Sequence, residues 1–263
     1  MGSSTREALS EVHAALAKVS KPDLATGEQV LSAGRVIGDS SPLLSALVDA
    51  TAESADKVSI VDAVFANYSA TTKTLLGAVA SSRWSSGDDL LAGIEEVGFR
   101  VLGASVPASV SIEDELFAFG AAVSSDPSLE LAVSSKLGSG EAKAALVHSL
   151  VASKFSKQTT AILEHLVQQP RDRRIGELLK AAASAVADQR GFAIATVTTV
   201  APLTKAQVER LTTALGASYG REIHVNHVVD PSIVGGLRVQ IGDDVIDGTI
   251  ASRLSDLRLQ LAS

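Results

Sequence analysis

The histidines are the side chains best suited to catalysis or metal binding, and their placement argues against both roles. His224 and His227 are three residues apart in a run of alternating aliphatic residues. As strand residues they point to opposite faces and cannot share a metal ion. His13, His148 and His165 fall in three separate predicted helices, with no carboxylate at ligand spacing. The sequence therefore predicts structural or solvent-exposed roles for the histidines.

The stretch 223–248 is rich in glycine and aspartate, which are common in phosphate and calcium sites. Gly235-Gly236 and Gly242 lack the Gly-Lys-Ser/Thr ending of a phosphate loop, and an alternating strand pattern follows them instead of a helix. The aspartates at 243, 244 and 247 lack the spacing of a calcium loop. Tight turns are the better interpretation, because glycine supplies a positive φ or allows close approach of strands.

The composition disfavours other kinds of chemistry. Cysteine is absent, which excludes disulfides, thiol catalysis and cysteine metal sites, and no Gly-x-Ser-x-Gly motif is present to activate a serine. Aromatic residues make up only 3% of the chain, although ligand pockets are commonly lined with them. We therefore expect a non-enzymatic protein without a cofactor.

The charge balance argues against nucleic acid as a partner. The 263 residues include 23 Lys and Arg against 30 Asp and Glu, a formal net charge of -7, whereas nucleic-acid binders usually carry a basic face. The basic cluster Arg171-Asp172-Arg173-Arg174 is interpreted as a solvated turn between helices. The N-terminus has no apolar signal segment, and no run approaches the roughly 18 apolar residues of a membrane span. We expect a soluble, intracellular protein.

Most of the chain up to residue 190 has helical periodicity. The first helix is predicted to begin at a capping box, Ser4-x-x-Glu7, and to end before Pro22. Further helices are predicted from about residue 27, after 42, from 56, over 71–81 and after 86.

The helical pattern recurs with an offset that increases slowly along the chain. Ile60 and Leu146 occupy matching positions 86 residues apart, and Leu90 and Leu178 occupy matching positions 88 residues apart. Single-residue insertions in loops between similar helices would produce this drift. General similarity among alanine-rich helices is the alternative. The pattern favours two helical bundles in tandem that share the helix at 88–102.

After Gly191 the periodicity changes from helical to alternating. Residues 192–200 predict a strand, Thr204-x-x-Gln207 caps a helix, three short strands follow within 223–248, and 249–261 predicts a last helix. The fold class is therefore mostly α, with tandem N-terminal helical bundles followed by a small α/β domain of order β-α-β-β-β-α. The predicted domains are 1–104, 105–190 and 191–263.

The stretch 223–248 resembles the C-terminal motif of the delta subunit of F-type ATP synthase, the bacterial equivalent of the oligomycin-sensitivity-conferring protein. The matching residues are Ile223, Val225, Val229, Asp230, Ile233, Gly235, Gly236, Leu237, Val239, Gln240 and Gly242, followed by Val245-Ile246-Asp247-Gly248-Thr249. Residues 111–190 look like the N-terminal six-helix domain of that family. Residues 1–86 are additional, so the chain resembles a long form with a duplicated helical domain.

The resemblance implies a non-catalytic stator subunit. Such a subunit joins the α3β3 head to the b subunit of the peripheral stalk, and it resists the torque of the rotor during proton-driven ATP synthesis. The implied partners are N-terminal helices of α subunits, the C-terminal region of b and, as a further candidate, the β subunit, with no nucleic acid and no direct membrane insertion. The implied location is the cytoplasmic face of the bacterial plasma membrane, as a peripheral part of the complex.

The resemblance also implies partner-binding residues, because family members hold an α-subunit helix between the first and fifth helices of the bundle. In the second copy this groove is lined by Ile94, Val97, Val101, Ile162, Leu163 and Leu166, for which internal core is the alternative role. A second candidate site for an α subunit, in the first copy, consists of Leu9, Val12, Leu75, Leu76 and Val79, with bracing of the stalk as the alternative role of that copy. The structural motif of the C-terminal domain comprises Asp230, Gly235, Gly236, Gly242, Asp247 and Gly248.

The alternative to a stator subunit is a helical scaffolding or regulatory protein that binds an amphipathic partner helix. It predicts no preference for ATP synthase subunits in a pull-down experiment.

Overall fold

The structure is a computed structural model of the chain, and it describes residues 2–135 and 138–250. It divides into two compact units, a helical unit (Met1–Val186) and a smaller second unit (Ala187–Ser263). Among the helices in the described ranges, none is long and apolar enough to cross a membrane.

The helical unit is built from eleven helices in the part of the chain that the structure describes. The first half contains α1 (Ser3–Leu16), α2 (Leu24–Gly38), α3 (Ser41–Val48), α4 (Ser54–Val64), α5 (Ala70–Ser81) and α6 (Gly87–Ala104). The second half contains α7 (Ile112–Ser125), α8 (Pro127–Ser134), α9 (Gly140–Val151), α10 (Lys157–Gln168) and α11 (Ile175–Gln189), which runs past residue 186. Their buried aliphatic residues recur at helical spacing, which is why the periodicity of the sequence predicts these elements.

Side-chain caps explain where some of these helices begin. Ser86 accepts a 3.1 Å hydrogen bond from the backbone N–H of Asp89 and so fixes the start of α6. The predicted capping box Ser4-x-x-Glu7 is wrong. Ser4 already lies inside α1, and the N-cap residue is Gly2, which makes no side-chain cap.

The two halves contain similar helices in the same order. α2 and α7 have 15 and 14 residues, α3 and α8 have 8 each, α4 and α9 have 11 and 12, and α5 and α10 have 12 each. This agreement supports a duplicated bundle, which stays a prediction.

A hydrogen-bonded clamp recurs at the starts of α5 and α10. Oε1 of Gln29 in α2 accepts from the backbone N–H of Ser69 (3.0 Å) and from the hydroxyl of Thr72 (2.7 Å). The carboxylate of Glu115 in α7 accepts from the backbone N–H of Ser156 (3.0 Å) in the same way. One clamp ties α2 to the start of α5 and the other ties α7 to the start of α10, so the two halves are similar in these polar contacts as well as in helix lengths.

α6 lies at the centre of the helical unit, with twelve of its 18 residues buried. Glycines allow α2 to pack closely against it. A Cβ atom built on Gly34 of α2 would lie 3.1 Å from Ile94, and one built on Gly98 of α6 would overlap Leu31 of α2. The two helices therefore interlock, with a glycine on each facing an aliphatic side chain on the other.

Replacing Gly93 of α6 by alanine is expected to destabilise the helical unit by about 1–3 kcal/mol. The new Cβ would lie 2.6 Å from Cζ3 of Trp84. That indole ring is fixed, because its Nε1 donates a 2.8 Å hydrogen bond to the carbonyl oxygen of Val79. Urea unfolding followed by circular dichroism measures the change. Gly176→Ala in α11 is the matched control, since nothing lies within 4 Å of its Cβ position, and equal behaviour of the two variants would contradict the packing argument.

The second unit is a mixed sheet of four strands in the described part of the chain, with one helix packed on it. Its elements are β1 (Phe192–Thr199), α12 (Lys205–Tyr219), β2 (Glu222–Val229), β3 (Leu237–Ile241) and β4 (Asp244–Asp247). The strand order is β2-β1-β3-β4. β1 is parallel to β2 and antiparallel to β3, which pairs in turn with antiparallel β4. β1 thus lies between β2 and β3, whereas β3 and β4 are direct neighbours.

α12 covers one face of this sheet. It begins at the predicted capping box, in which Thr204 accepts from the backbone N–H of Gln207 and the Gln207 side chain accepts from the backbone N–H of Thr204. The buried core between helix and sheet consists of Ala195, Val197, Leu215, Ile223, Val239 and Ile241.

The predicted fold class, a mostly helical chain followed by a small α/β unit, is confirmed. Beyond Ile250, the predicted last helix at 249–261 lies outside the described residues. The three domain ranges stay predictions. Helices α1 to α11 form one compact unit, apart from the last turn of α11, and the second unit begins at Ala187.

Candidate functional site

The six residues predicted to line a groove for a partner helix are all buried inside the helical unit. Each exposes 1% or less of its surface: Ile94, Val97 and Val101 on α6, and Ile162, Leu163 and Leu166 on α10. Their burial supports the alternative role as internal core. A contact between these side chains and a partner stays a prediction, and it would require α6 or α10 to separate from a neighbouring helix.

The second candidate site, in the first half, is also mostly buried. Val12, Leu75, Leu76 and Val79 are at most 2% exposed, and Leu9 is partly buried against the same cluster. These residues pack α1 against α5. As a docking surface they stay a prediction.

A buried charge cluster, here called the Glu95 cluster, joins α6 to the turn between α10 and α11. It consists of Glu95, Arg171, Arg173, His165 and Arg35. Nη2 of Arg173 lies 2.8 Å and 3.0 Å from the two carboxylate oxygens of Glu95, and Nη2 of Arg171 donates to the same carboxylate. The Glu95 side chain is only 5% exposed. The charges of two guanidinium groups therefore offset the desolvation cost of the buried carboxylate.

His165 extends the cluster to α2. Its Nδ1 lies 3.1 Å from Nη1 of Arg35, and its Nε2 lies 3.2 Å from Oε1 of Glu95. Arginine can only donate, so Nδ1 accepts, and Nε2 carries the proton that is donated to Glu95. A neutral imidazole thus connects α2, α10 and α6.

The turn that carries the two arginines has an unusual backbone. Arg171 and Asp172 have positive φ angles of 46° and 58°, a conformation that costs a non-glycine residue about 1–2 kcal/mol. Nη1 of Arg171 also donates a 3.1 Å hydrogen bond to the carbonyl oxygen of Asp88, so the turn is held against α6. The prediction of a turn is confirmed, but its solvated interpretation is wrong for Arg171 and holds only in part for Arg173, whose side chain is 32% exposed.

Burial changes the protonation equilibria of the cluster. Burial lowers the pKa of His165 below its usual 6.5, against the opposing effect of the hydrogen bond to Glu95. Burial alone would raise the pKa of Glu95, but the hydrogen bond from His165 and the charge of Arg171 outweigh it and keep the pKa below 4.5. At neutral pH the cluster therefore contains an ionised Glu95 and an uncharged His165.

The stability of the helical unit is expected to fall as the pH is lowered from 7 toward 5. Because the pKa of His165 is lower in the folded chain, the unfolded chain takes up a proton first. The contribution of the neutral ring is lost below about pH 6.5, by up to about 1.4 kcal/mol per pH unit. Urea unfolding at two pH values, followed by the fluorescence of Trp84, measures this loss. His165→Gln should lose less stability between the two pH values than the unsubstituted chain. Equal losses would show that His165 does not cause the pH dependence.

The remaining histidines also have structural partners. Nε2 of His13 lies 2.9 Å from Oε1 of Glu96, and Nδ1 of His148 lies 2.7 Å from Oε1 of Glu164. The two histidines of β2 lie on opposite faces of the sheet, as their spacing predicts. Within residues 2–135 and 138–250, no group of three or more His, Asp and Glu is placed to hold a metal ion. The sequence does not reveal the helix-to-helix pairs, because their members come from different elements.

The glycines of the 223–248 stretch lie at turns. Gly235, Gly236 and Gly242 have positive φ angles of 75°, 83° and 57°, which agrees with the turn interpretation. A Cβ on Gly236 would lie 2.5 Å from the carbonyl oxygen of Gly248. The backbone N–H of Gly248 donates a 2.9 Å hydrogen bond to the carbonyl oxygen of Leu237. The start of β3 therefore passes so close to the end of β4 that a side chain has no room.

Two aspartates stabilise turns in this stretch, one between β2 and β3 and one after β4. Oδ1 of Asp230 accepts from the backbone N–H of Ser232 at 2.9 Å. Oδ1 of Asp247 accepts from the backbone N–H (2.9 Å) and the hydroxyl (2.7 Å) of Thr249. These hydrogen bonds keep the pKa of each carboxyl below 3.8. The motif thus serves the geometry of the sheet.

The second unit exposes aliphatic side chains at both edges of its sheet. Val245 and Ile246 of β4 are 47% and 48% exposed. Val228 and Val229 of β2 are exposed as well, as is Ile250 after β4. β4 has only one strand neighbour among the described residues, so it offers backbone groups as well as side chains. These edges are candidate partner surfaces.

A large part of the chain matches a known family. The family described as "ATP synthase delta (OSCP) subunit" matches residues 104–261, which is more than half of the chain. The chain belongs to the ATP synthase delta (OSCP) subunit family. The family match begins at the end of α6. An ATP synthase subunit delta of Leifsonia xyli subsp. xyli also aligns with the preceding helices, and it is 53% identical over 263 residues with 100% of both chains covered.

Further delta subunits are similar at greater distance. That of Pseudarthrobacter chlorophenolicus is 33% identical with 100% of both chains covered. That of Streptomyces avermitilis is 41% identical over 192 residues, 72% of this chain and 70% of the relative. Among solved structures, a chain of the "Cryo-EM structure of Toxoplasma gondii mitochondrial ATP synthase hexamer, composite model" is 22% identical at a TM-score of 0.42, covering 63% of this chain and 93% of that chain. The full-length alignments place residues 1–103 within delta subunits of similar length.

The family match confirms the function predicted from the sequence at the level of the complex. The chain is a stator-linking subunit of F-type ATP synthase, and its part in that complex is structural. It is a peripheral component of a membrane-bound assembly.

Proposed function

We propose that this delta subunit connects the α3β3 head of ATP synthase to the b subunit of the peripheral stalk. The observation that carries the proposal is the full-length match to delta subunits, and the two compact units of the chain supply a separate unit for each of two partners. A head held in this way cannot turn with the rotor, so rotation drives ATP synthesis. The proposed location is the cytoplasmic face of the bacterial plasma membrane.

The helical unit is proposed to bind the head through the N-terminal helices of α subunits, with the β subunit as a further candidate. Exposed aliphatic side chains support a helix-binding role. Leu146 and Leu150, one turn apart on α9, are 37% and 40% exposed, and Leu131 on α8 is 71% exposed. On α4, the helix equivalent to α9, Val64 is 48% exposed. α9 therefore exposes a pair of leucines, and α4 exposes one valine at the position that matches Leu150.

The second unit is proposed to bind the C-terminal region of the b subunit. Edge strand β4 supports this role, because Val245 and Ile246 point to opposite faces of the sheet and both remain exposed. A partner that packs along this edge could contact either face.

Purification of the tagged full chain from its own membranes should recover the α, β and b subunits, identified by mass spectrometry. Absence of all three would overturn the proposal and favour the alternative, a helical scaffolding or regulatory protein.

The double variant Val245→Lys/Ile246→Lys is expected to weaken binding of b by at least about tenfold, or about 1.4 kcal/mol. Charged side chains are tolerated on an edge strand but remove the apolar contact. Binding of the purified b subunit to the full chain measures the effect. Ala217→Lys, at an exposed position of α12, is the control and should bind b normally. Unchanged affinity of the double variant would place the b contact elsewhere.

A further inference from the structure

We propose that α2 is a permanent internal occupant of the face formed by α6 and α10, and that partner helices are bound by other surfaces of the chain. α2 contacts both of these helices. On α6 it lies against Ile94, one of the six residues predicted to receive a partner helix, which is 3.1 Å from the Cβ position of Gly34. The binding test of this inference rests on the proposed function. The inference deepens that function, because it excludes the face of α6 and α10 as the site that binds a helix of the head.

Polar contacts fix the end of α2 on α10. Arg35 is hydrogen-bonded to the buried ring of His165, and Nε2 of Gln169 donates to the carbonyl oxygen of Arg35 at 3.3 Å. Gly38 allows this approach, because a Cβ there would lie 2.7 Å from Nε2 of Gln169. The contact therefore has a defined register along both helices.

If another helix displaced α2, it would bury a similar apolar surface but gain little free energy, because the contacts of α2 would be lost. Val30, Leu31 and Ile37 of α2 are at most 1% exposed, so an incoming helix would have to replace their contacts before gaining any affinity. It would also leave His165 without Arg35 inside the Glu95 cluster. Buried polar groups that lose a partner are unfavourable.

The two halves differ in exposure at the position of the fifth-helix face that α2 covers on α10. His165 on α10 is 1% exposed. The matching position on α5, 87 residues earlier, is Ala78, which is partly exposed, and the nearby Thr74 is exposed. The position of His165 is thus covered on α10, whereas the matching position on α5 is partly open.

Disulfide trapping in the full chain tests the proposal. Gly34→Cys/Ile94→Cys places two cysteines where the built Cβ of residue 34 lies 3.9 Å from Cβ of residue 94, within the range of disulfides. The natural chain has no cysteine, so no other thiol competes. We expect the disulfide to form on mild oxidation. The oxidised chain should bind delta-depleted α3β3 heads with a Kd within about twofold of that of the reduced chain.

A second pair examines the contact with α10. Gly38→Cys/Gln169→Cys should be joined by a short thiol cross-linker, whereas each single variant should give no intramolecular product. Circular dichroism checks that all variants are folded.

The outcomes separate the two proposals. Failure of both pairs to link would show that α2 does not occupy this face in solution. Binding that is about tenfold weaker in the linked than in the unlinked chain would show that the face opens for a partner, and either result overturns the inference. If the cysteine variants link efficiently but the unsubstituted chain does not bind heads, the proposed function is refuted instead and the inference about α2 stands.

Discussion

Glu95→Gln is expected to lower the free energy of unfolding of the helical unit by about 3–5 kcal/mol, because removal of one partner leaves the other charges of a buried pair uncompensated. The carboxylate accepts from Arg171, Arg173 and His165. A neutral amide of the same shape keeps the volume but loses the charge. The turn at Arg171 and Asp172 then loses the ion pairs that hold its positive φ angles. Urea unfolding followed by the fluorescence of Trp84, the single tryptophan, measures the loss.

Two comparisons make this expectation specific. Glu141→Gln, at an exposed position of α9, should change stability by less than about 0.5 kcal/mol. In the double variant Glu95→Gln/Arg171→Ala, the losses should not add, with a coupling of about 0.5–3 kcal/mol. A loss for Glu95→Gln as small as that of the control, or strict additivity, would show that the cluster does not act as a unit.

Gly236→Ala is expected to destabilise the second unit by about 3 kcal/mol, the sum of a left-handed backbone and an overlap. Its φ is 83°. The added Cβ would lie 2.5 Å from the carbonyl oxygen of Gly248 and 2.8 Å from Cα of Thr249, and backbone atoms cannot move aside as a side chain can. Amide hydrogen exchange of β1 and β3 in the full chain measures the change in this unit separately from the helices.

Gly242→Ala is the matched control for Gly236→Ala. Its φ is also positive, at 57°, but nothing lies within 4 Å of its Cβ position. It should therefore show only the backbone cost, about 1–2 kcal/mol. Equal protection factors for the two variants would show that the close approach to β4 does not contribute.

The elements of this fold follow from local sequence, whereas their neighbours do not. Helical and alternating periodicity predicts the helices and strands, and the capping box at Thr204 and Gln207 is formed as predicted. Strand order cannot be predicted from local sequence, because the alternation in 223–248 is also compatible with direct pairing of β2 and β3. Only the parallel ladder from Phe192 to Thr199 reveals that β1 lies between them.

The same limit applies to the candidate site. Aliphatic residues such as Ile94 and Ile162 have the same spacing whether they face a partner or the interior, so periodicity predicts their helix faces but not what covers them. The Glu95 cluster cannot be predicted from the sequence, for another reason. Arg171 and Arg173 are 76 and 78 residues from Glu95 in the chain, and a basic run in a turn is usually solvated. The positive φ angles of this turn depend on those distant contacts.

The position of β1 in its sheet determines how the second unit bears mechanical load. The chain enters the sheet at β1, directly after Gly191, and β1 is hydrogen-bonded to β2 on one side and to β3 on the other. Tension along the chain would therefore shear two hydrogen-bonded ladders at once, instead of peeling a single edge strand away bond by bond. Shear loads many bonds simultaneously, so the sheet resists extraction of β1 by tension along the chain.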